Sequence, residues 1–228
     1  LFFQTIFLHR YASHQMFTMS KFWEKVFFFL TFLVQGSSFL NPRAYAILHR
    51  RHHKYSDTEK DPHSPEFSKN IIMLNVNTVK HYESVRRNKK DYSKYDYNVP
   101  RWESLEKFSD HWITRVFFIA FYTLVYVTYS TSTWQYMLLP IHFVMGPLHG
   151  SIVNWCGHRY GYVNHKKTND KSKNTLPFDF LMMGELFQNN HHWKPKSINF
   201  SSRWFEIDPG FLFTKILNKI NMIRINNG

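Results

Sequence analysis

Long apolar runs alternate with polar, basic segments along this chain of 228 residues. The two longest runs cover residues 112–130 and 134–153, and a short polar turn joins them. At about 1.5 Å per helical residue, each run nearly covers the roughly 30 Å hydrocarbon layer of a bilayer. Residues 1–8 are also apolar, as expected for the end of an earlier span. The pattern predicts an all-α fold with transmembrane helices and a helical cap.

Shorter apolar segments predict helices that do not cross the bilayer. Residues 26–34 predict a re-entrant or interfacial helix, 176–187 an apolar helix that precedes His191 and His192, and 211–225 an amphipathic basic helix on the membrane surface. Asn41-Pro42 predicts a helix start, because proline suits the first helical position. Four prolines and glycines make the second span irregular, and we expect packing roles for its His142 and His149.

The flanking charges predict which way the chain crosses the membrane. Lys107, Arg159 and Lys166 lie at the outer ends of the two spans, whereas the connecting turn is uncharged. Because basic residues accumulate on the cytoplasmic side, we expect the cap to be cytoplasmic. The chain begins with Leu1 inside an apolar run, so we also expect that N-terminal helices precede it.

Histidine clusters mark the candidate chemistry of the cap. They comprise His9 and His14, then His49, His52 and His53, then His158, and finally His191 and His192. Neutral imidazole is a good ligand for iron, copper, nickel and zinc, and eight imidazoles suit two metals better than one. His9 and His14 would lie about 140° apart on an α-helix, which predicts either two metals or a helix end between them.

Composition narrows the alternatives. The net charge of +13 fits either nucleic acid or an anionic membrane surface with phosphate-bearing ligands. The apolar runs favour the membrane, and we expect no nucleic-acid partner. One cysteine, Cys156, excludes a disulfide framework and a cysteine-ligated iron–sulfur cluster within these residues. A membrane metal-storage or transport protein is a further alternative. Its histidines would lie through the depth of the bilayer, whereas the clusters of this chain are expected at one membrane face.

Five strings of the sequence resemble the membrane-bound stearoyl-CoA desaturase family, in particular its bacterial acyl-CoA members. They are HRYASH (9–14), HRRHHKYSDTEKDPHSP (49–65), HGSIVNWCGHRYGY (149–162), GELFQNNHHWKP (184–195) and RWFEIDP (203–209). The resemblance implies one desaturase domain over residues 1–228, lacking its N-terminal helices, with a dimetal site of two Fe2+ ions. The implied iron ligands are His9, His14, His49, His52, His53, His158, His191 and His192. Asn154 would hold a water, and Gln188 stands where the family usually has histidine.

The implied reaction is O2-dependent insertion of a cis double bond into a saturated acyl chain, with acyl-CoA and the delta-9 position as the expected substrate and site. Its two electrons would come from a ferredoxin, a rubredoxin or a b-type cytochrome with its reductase. The expected location is the bacterial inner membrane. A fatty-acyl or lipid hydroxylase or ketolase on the same scaffold is the alternative. We further predict that Arg86, Arg87, Lys89 and Lys90 help to hold the phosphate-bearing head group, with a solvated or lipid-contacting surface as the alternative.

Overall fold

The computed structural model describes residues 1–88 and 90–226, and this part of the chain is mostly helical. The helices are a π-helix at Gln4–Ser13, α1 (Lys21–Gln35), α2 (Pro42–Tyr55), α3 (Ile71–Arg86), α4 (Glu103–Asp110), α5 (Trp112–Tyr129), α6 (Leu139–Phe143), α7 (Met145–Arg159), α8 (Gln188–Trp193) and α9 (Pro209–Lys219). Short 3-10 helices lie at Gly36–Ser38, Pro65–Phe67, Ser93–Tyr95 and Thr133–Leu138. The strands β1 (Phe17–Thr18) and β2 (Arg224–Ile225) pair antiparallel.

The N-terminal π-helix lies at the centre of the described molecule. In a π-helix each N–H bonds five residues back, so residues five apart lie on the same face. The amide of His14 donates to the carbonyl of His9 at 3.2 Å in this way. The helix ends at Ser13, so a helix end does separate the two histidines, but the π turn still brings them together.

Phenylalanine supplies most of the core around this helix. Phe7, Phe27 and Phe28 from the π-helix and α1 are almost fully buried, and Phe187 and Phe200 from the C-terminal part pack into the same cluster. Rings at these separations, such as 5.9 Å between Phe7 and Phe28, gain edge-to-face attraction beyond the burial of their surface. The core therefore joins distant parts of the chain around the segment that carries His9 and His14.

A buried ion network fixes the π-helix to the C-terminal region. The guanidinium of Arg10 is fully buried and donates to Asp208 at 2.8 Å and to Glu185 at 3.1 Å. It also lies 4.2 Å from the ring centre of Phe200. Since an unpaired buried charge costs several kcal/mol, the three charged groups must remain together, and they fix the position of the neighbouring His9.

Helix α2 begins as the sequence predicts. Asn41 accepts a hydrogen bond from the amide of Ala44 at 3.0 Å, and Pro42 occupies the first turn. The Arg50 guanidinium then donates to the carbonyls of Ala12 and Ser13 at 2.8 Å each. These bonds satisfy carbonyls at the end of the π-helix and set α2 against it.

Helix α5 is the described helix that is long and apolar enough to cross a membrane, and only 11% of it is buried. The second predicted span is not one straight helix. It breaks at Val144, and its two halves, Thr133–Phe143 and Met145–Arg159, meet at 81°. Ser37 and Ser38 fill the break, because their hydroxyls bond the carbonyl of Phe143 at 3.0 Å and the amide of Gly146 at 3.1 Å. The irregularity expected from its prolines and glycines is thus confirmed.

The structure differs from the prediction at two C-terminal segments that were expected to be helices. Residues 176–187 form turns rather than a helix, because the Asp179 carboxylate accepts from the amides of Met182 and Leu186, and Met183 and Gly184 take positive φ. These turns compete with the helical hydrogen-bond pattern. The helix predicted at 211–225 is shorter, since α9 ends at Lys219 and the chain then turns into β2.

Candidate metal centre

Five histidines from three parts of the chain converge in one group. Their ligand atoms all lie within 4.8 Å of one another, and the group could hold a metal ion. We call it the five-histidine group; it consists of His9, His14, His49, His53 and His191. The Nε2 atoms of His14 and His49 are 2.7 Å apart, those of His49 and His53 3.0 Å, and those of His53 and His191 2.9 Å.

These contacts fit a metal better than they fit hydrogen bonds among histidines. Each Nε2 has either one proton or one lone pair, so it can serve one partner at a time. His49, His53 and His191 each make two Nε2 contacts of this kind. Two nitrogens bound at right angles to a metal, each about 2.1 Å away, would lie about 3.0 Å apart. A central cation would satisfy all five lone pairs at once.

A second group, the three-histidine group, consists of His52, His158 and His192, and it too could hold a metal ion. Each pair of its rings has centroids 5.0 Å apart. The Nε2 of His158 is buried and has no hydrogen-bond partner among the described residues. Such an orphaned buried nitrogen is costly unless a ligand occupies it.

Each member of the three-histidine group has its own aspartate at Nδ1. The distances are 2.9 Å from His52 to Asp61, 2.8 Å from His158 to Asp57 and 2.6 Å from His192 to Asp170. In the other group, Glu185 contacts Nδ1 of His9. A carboxylate at Nδ1 fixes the tautomer, aims the Nε2 lone pair inward and raises its basicity.

Helix geometry explains how the two groups divide the histidines. On α2, His49 and His53 are four residues apart and share a face, whereas His52 points about 60° away. The first two enter the five-histidine group and His52 enters the other. On α8, the neighbours His191 and His192 are about 100° apart and separate in the same way.

Burial keeps most of these imidazoles neutral. It lowers the pKa well below the ordinary histidine value for His14, His49, His53 and His191. It also lowers the pKa of His192 to about 4, although Asp170 opposes the shift. His52 differs, because Asp61 outweighs the effect of burial and raises its pKa. Neutral imidazole is the form that binds metals, so burial prepares the groups for that role.

Asn154 and Gln188 each lie one helical turn before a histidine of the three-histidine group. Asn154 precedes His158 by one turn of α7, and its amide nitrogen donates to the carbonyl of Gly150 at 2.7 Å. Gln188 precedes His192 by one turn of α8, and its amide nitrogen donates to the carbonyl of Glu185 at 2.6 Å. Gln188 packs on Gly157, where a Cβ would lie 2.3 Å from its Cγ. Only glycine at 157 permits this approach of α8 to α7.

The sequence interpretation assigned no role to the four carboxylates or to His63. His63 is buried, its ring centre is 4.6 Å from that of His52, and neither of its ring nitrogens has a hydrogen-bond partner among the described residues. Burial lowers its pKa to about 3. Asp57, Asp61 and His63 follow the second histidine cluster within a polar turn. Their position so soon after His53 is the sequence feature that could have identified them as partners of the site.

An apolar cavity of about 400 Å³ reaches the histidines. Its wall includes His49, His63 and Asn154, and also Arg86 and Arg87. Aliphatic and aromatic side chains line much of the rest, among them Leu40, Tyr45, Leu48, Leu74, Val79 and Phe143. The volume and lining are typical of a small-molecule site.

The predicted basic cluster is partly neutralised. Arg86 pairs with Glu83 at 2.8 Å and with Asp110 at 2.5 Å, and Arg87 pairs with Glu83 at 2.9 Å. Lys90 is exposed, and Lys89 lies outside the described residues. A role in head-group binding stays a prediction for all four residues.

Known proteins match nearly the whole chain. The family model for fatty acid desaturases matches residues 1–205. A sn-1 stearoyl-lipid 9-desaturase from Synechocystis sp. is 27% identical over 229 residues, covering 96% of this chain and 65% of that protein. A delta-9 desaturase-like 2 protein from Arabidopsis thaliana is 30% identical over 88% of this chain and 64% of its own.

An acyl-CoA 5-desaturase from Anemone leveillei is 26% identical over 96% of this chain and 65% of its own. The chain thus spans slightly less than two thirds of the length of these three curated relatives. The match to the family model includes all eight histidines of the two groups, and on this evidence the chain belongs to the fatty acid desaturase family.

Proposed function

We propose that the protein inserts a cis double bond into a saturated fatty acyl chain, using O2 and two iron ions held by the five- and three-histidine groups. The observation that carries this proposal is the position of His49. It belongs to the five-histidine group and also lines the apolar cavity, so an acyl chain in the cavity would lie beside a metal site.

The chemistry of the substrate explains the demand for metal. A methylene C–H in a saturated chain is not acidic, so no side-chain base can begin the reaction. Two irons held by the histidine groups would activate O2 as the oxidant, and two electrons from outside the acyl chain would complete its reduction to water. One acyl chain, one O2, two electrons and two protons then give the cis-alkene and two molecules of water.

The residues of the chain hold and orient the reactants. Nε2 atoms bind the metals, while Asp57, Asp61, Asp170 and Glu185 fix the Nδ1 side of four histidines. The apolar cavity wall excludes water from the acyl chain and limits its conformations. The three imidazoles would hold the second metal, and Asn154 and Gln188, each one turn before one of these histidines, would contribute directly or through one water.

We infer acyl-CoA as the substrate and delta-9 as the position. The names of relatives include two lipid-linked delta-9 desaturases, which support the position, and one acyl-CoA 5-desaturase, which supports a CoA-linked substrate. Arg86 and Arg87 lie on the cavity wall, where phosphates of CoA could contact them. Their pairing with Glu83 and Asp110 means that a head group would compete with these carboxylates.

Membrane insertion is part of the proposal. The exposed face of α5 is apolar, with Trp112 70% and Phe117 64% exposed, which lipid would cover. Basic residues at the outer ends of the spans favour a cytoplasmic position for the histidine groups, in a bacterial inner membrane. Electrons would arrive from a separate carrier protein.

Two measurements test this function. The full-length protein, expressed in a desaturase-deficient host, should produce monounsaturated fatty acids with a cis bond at carbon 9, detected by gas chromatography and mass spectrometry. Hydroxylated or keto products would favour the alternative enzyme on the same scaffold.

His52→Ala and His191→Ala should each lower iron content and abolish the product, whereas the exposed His111→Ala should do neither. Full iron content in either of the first two variants would refute the ligand assignment.

A further inference from the structure

A basic hollow of about 710 Å³ opens on the surface beside the three-histidine group. Its lining includes His158 itself, together with Arg159 and Tyr160 from the end of α7 and the loop that follows. We define the basic hollow by its four cationic residues, Arg159, Lys166, Lys171 and Lys173. Two carboxylates, Glu66 and Asp170, face them.

Four cationic residues against two carboxylates leave the hollow with a positive formal charge. The Asp170 carboxylate contacts Nδ1 of His192 at 2.6 Å, and the Glu66 carboxylate pairs with Nζ of Lys171 at 2.5 Å. Lys166 is exposed, and no salt bridge joins it to another described residue. Tyr160 and Val163 on the same surface are 55% and 40% exposed, so apolar contact area lies among the charges. Charged groups around a small apolar patch are typical of transient protein interfaces.

The hollow and the apolar cavity approach the histidines from different sides. The cavity includes His49 of one group and the hollow includes His158 of the other, and the described linings share no residue. An acyl chain in the cavity would therefore leave the hollow free. This separation argues against the hollow as the head-group site for the same substrate.

Hydrogen bonds join the wall of the hollow to two proposed ligands. Asp170 contacts Nδ1 of His192 directly. The backbone amide of Lys171 donates to Asp57 at 2.8 Å, and Asp57 contacts Nδ1 of His158 at 2.8 Å. A protein bound in the hollow would lie one or two hydrogen bonds from imidazoles that would bind metal. Short bonded paths of this kind favour electron transfer.

We propose that the basic hollow is the docking surface for an acidic, one-electron carrier protein. The inference rests on the proposed function, because desaturation consumes two electrons from outside the acyl chain. Each docking event would deliver one electron from the reduced carrier, which leaves oxidised, so two events serve one turnover. Opposite charge would speed the encounter, and the interface would weaken as salt increases.

The test uses a reduced, acidic [2Fe–2S] ferredoxin as the probe with the full-length protein. Lys166→Glu combined with Lys171→Glu should raise the KM for the ferredoxin about tenfold or more at low salt, with the KM for acyl-CoA unchanged. The control is Lys94→Glu with Lys107→Glu, which makes the same charge change at exposed lysines outside the hollow and should leave both constants as they are. Ferredoxin binding, measured separately by biolayer interferometry, should weaken in Lys166→Glu with Lys171→Glu and stay unchanged in the control.

Equal ferredoxin binding in the two double variants would overturn the proposal, as would a rise in the KM for acyl-CoA in place of the carrier. The milder Lys166→Gln with Lys171→Gln should change binding in the same direction by a smaller factor if the reversal variant folds poorly. Absence of any desaturated product from the wild-type protein would instead refute the proposed function, and the binding measurement keeps the two failures apart.

Discussion

Replacing Asp170 with asparagine should weaken metal binding at the three-histidine group. The Asp170 carboxylate contacts Nδ1 of His192 with one oxygen, and its other oxygen accepts from the amide and hydroxyl of Ser172 at 3.0 and 2.5 Å. An asparagine has one acceptor oxygen. If that oxygen faces Ser172, the amide NH2 faces His192 and forces its proton onto Nε2, which removes the lone pair needed for the metal. If the oxygen faces His192, the negative charge is still lost.

The expected size of the effect follows from the position of Asp170 just outside the metal ligands. Loss of such a carboxylate typically lowers metal affinity by about 10–100-fold, or about 1.4–2.8 kcal/mol. The five-histidine group has Glu185 rather than Asp170 as its carboxylate partner, so one iron per chain should stay at wild-type affinity. Titration of the iron-loaded protein with a chelator of known affinity, followed by elemental analysis, measures both sites.

Asp91→Asn is a matched control for this prediction. Asp91 also accepts from the amide of a serine two residues later, Ser93 at 2.8 Å, but it is exposed and outside the histidine groups. The control should release iron as the wild type does. Unchanged affinity for both irons in Asp170→Asn, or equal weakening at both sites, would refute the reasoning.

Three further predictions follow from contacts in and near the site. Gln188→His should retain or raise iron affinity and Gln188→Leu should lower it, as measured by the same chelator titration; equal affinity in all three forms would leave Gln188 a packing residue. Neutralising Arg86 and Arg87 to glutamine should raise the KM for acyl-CoA at low salt with little change at saturating substrate, and an unchanged KM would remove them from the head-group site. Arg10→Leu should destabilise the protein by about 3–5 kcal/mol, because it leaves two buried carboxylates without a counter-charge; thermal unfolding in detergent measures this, and a loss below about 1 kcal/mol would contradict it.

The sequence alone was sufficient for the local features that recur along an α-helix. The start of α2 at Asn41-Pro42 followed from capping chemistry. The spacing of His49, His52 and His53 predicted a helix that carries all three on or beside one face, and the structure divides them between two groups. The number of histidines predicted two metal sites, and the structure gathers the eight histidines into two groups that could each hold a metal ion. These features depend on residues within a few positions of each other, so a helical period is enough to infer them.

Tertiary structure decided what depends on distant partners. The π-helical turn that aligns His9 with His14 forms where Arg10 binds Glu185 and Asp208, 175 and 198 residues away. The turns at 176–187 replace a predicted helix because Asp179 bonds backbone amides there. The charge of Arg86 is offset by Asp110 from a different helix.

The carboxylates that contact the Nδ1 atoms of the histidines also depend partly on sequence and partly on tertiary structure. Their acidic character is visible in the sequence, but which imidazole each one contacts is set by folding, as for Asp57 and His158, 101 residues apart. Buried charges and polar atoms must find partners wherever the fold brings them, and the period of a helix carries no information about such pairs. The sequence therefore predicted the eight histidines of the two groups, and only the tertiary structure decided how they are oriented and held.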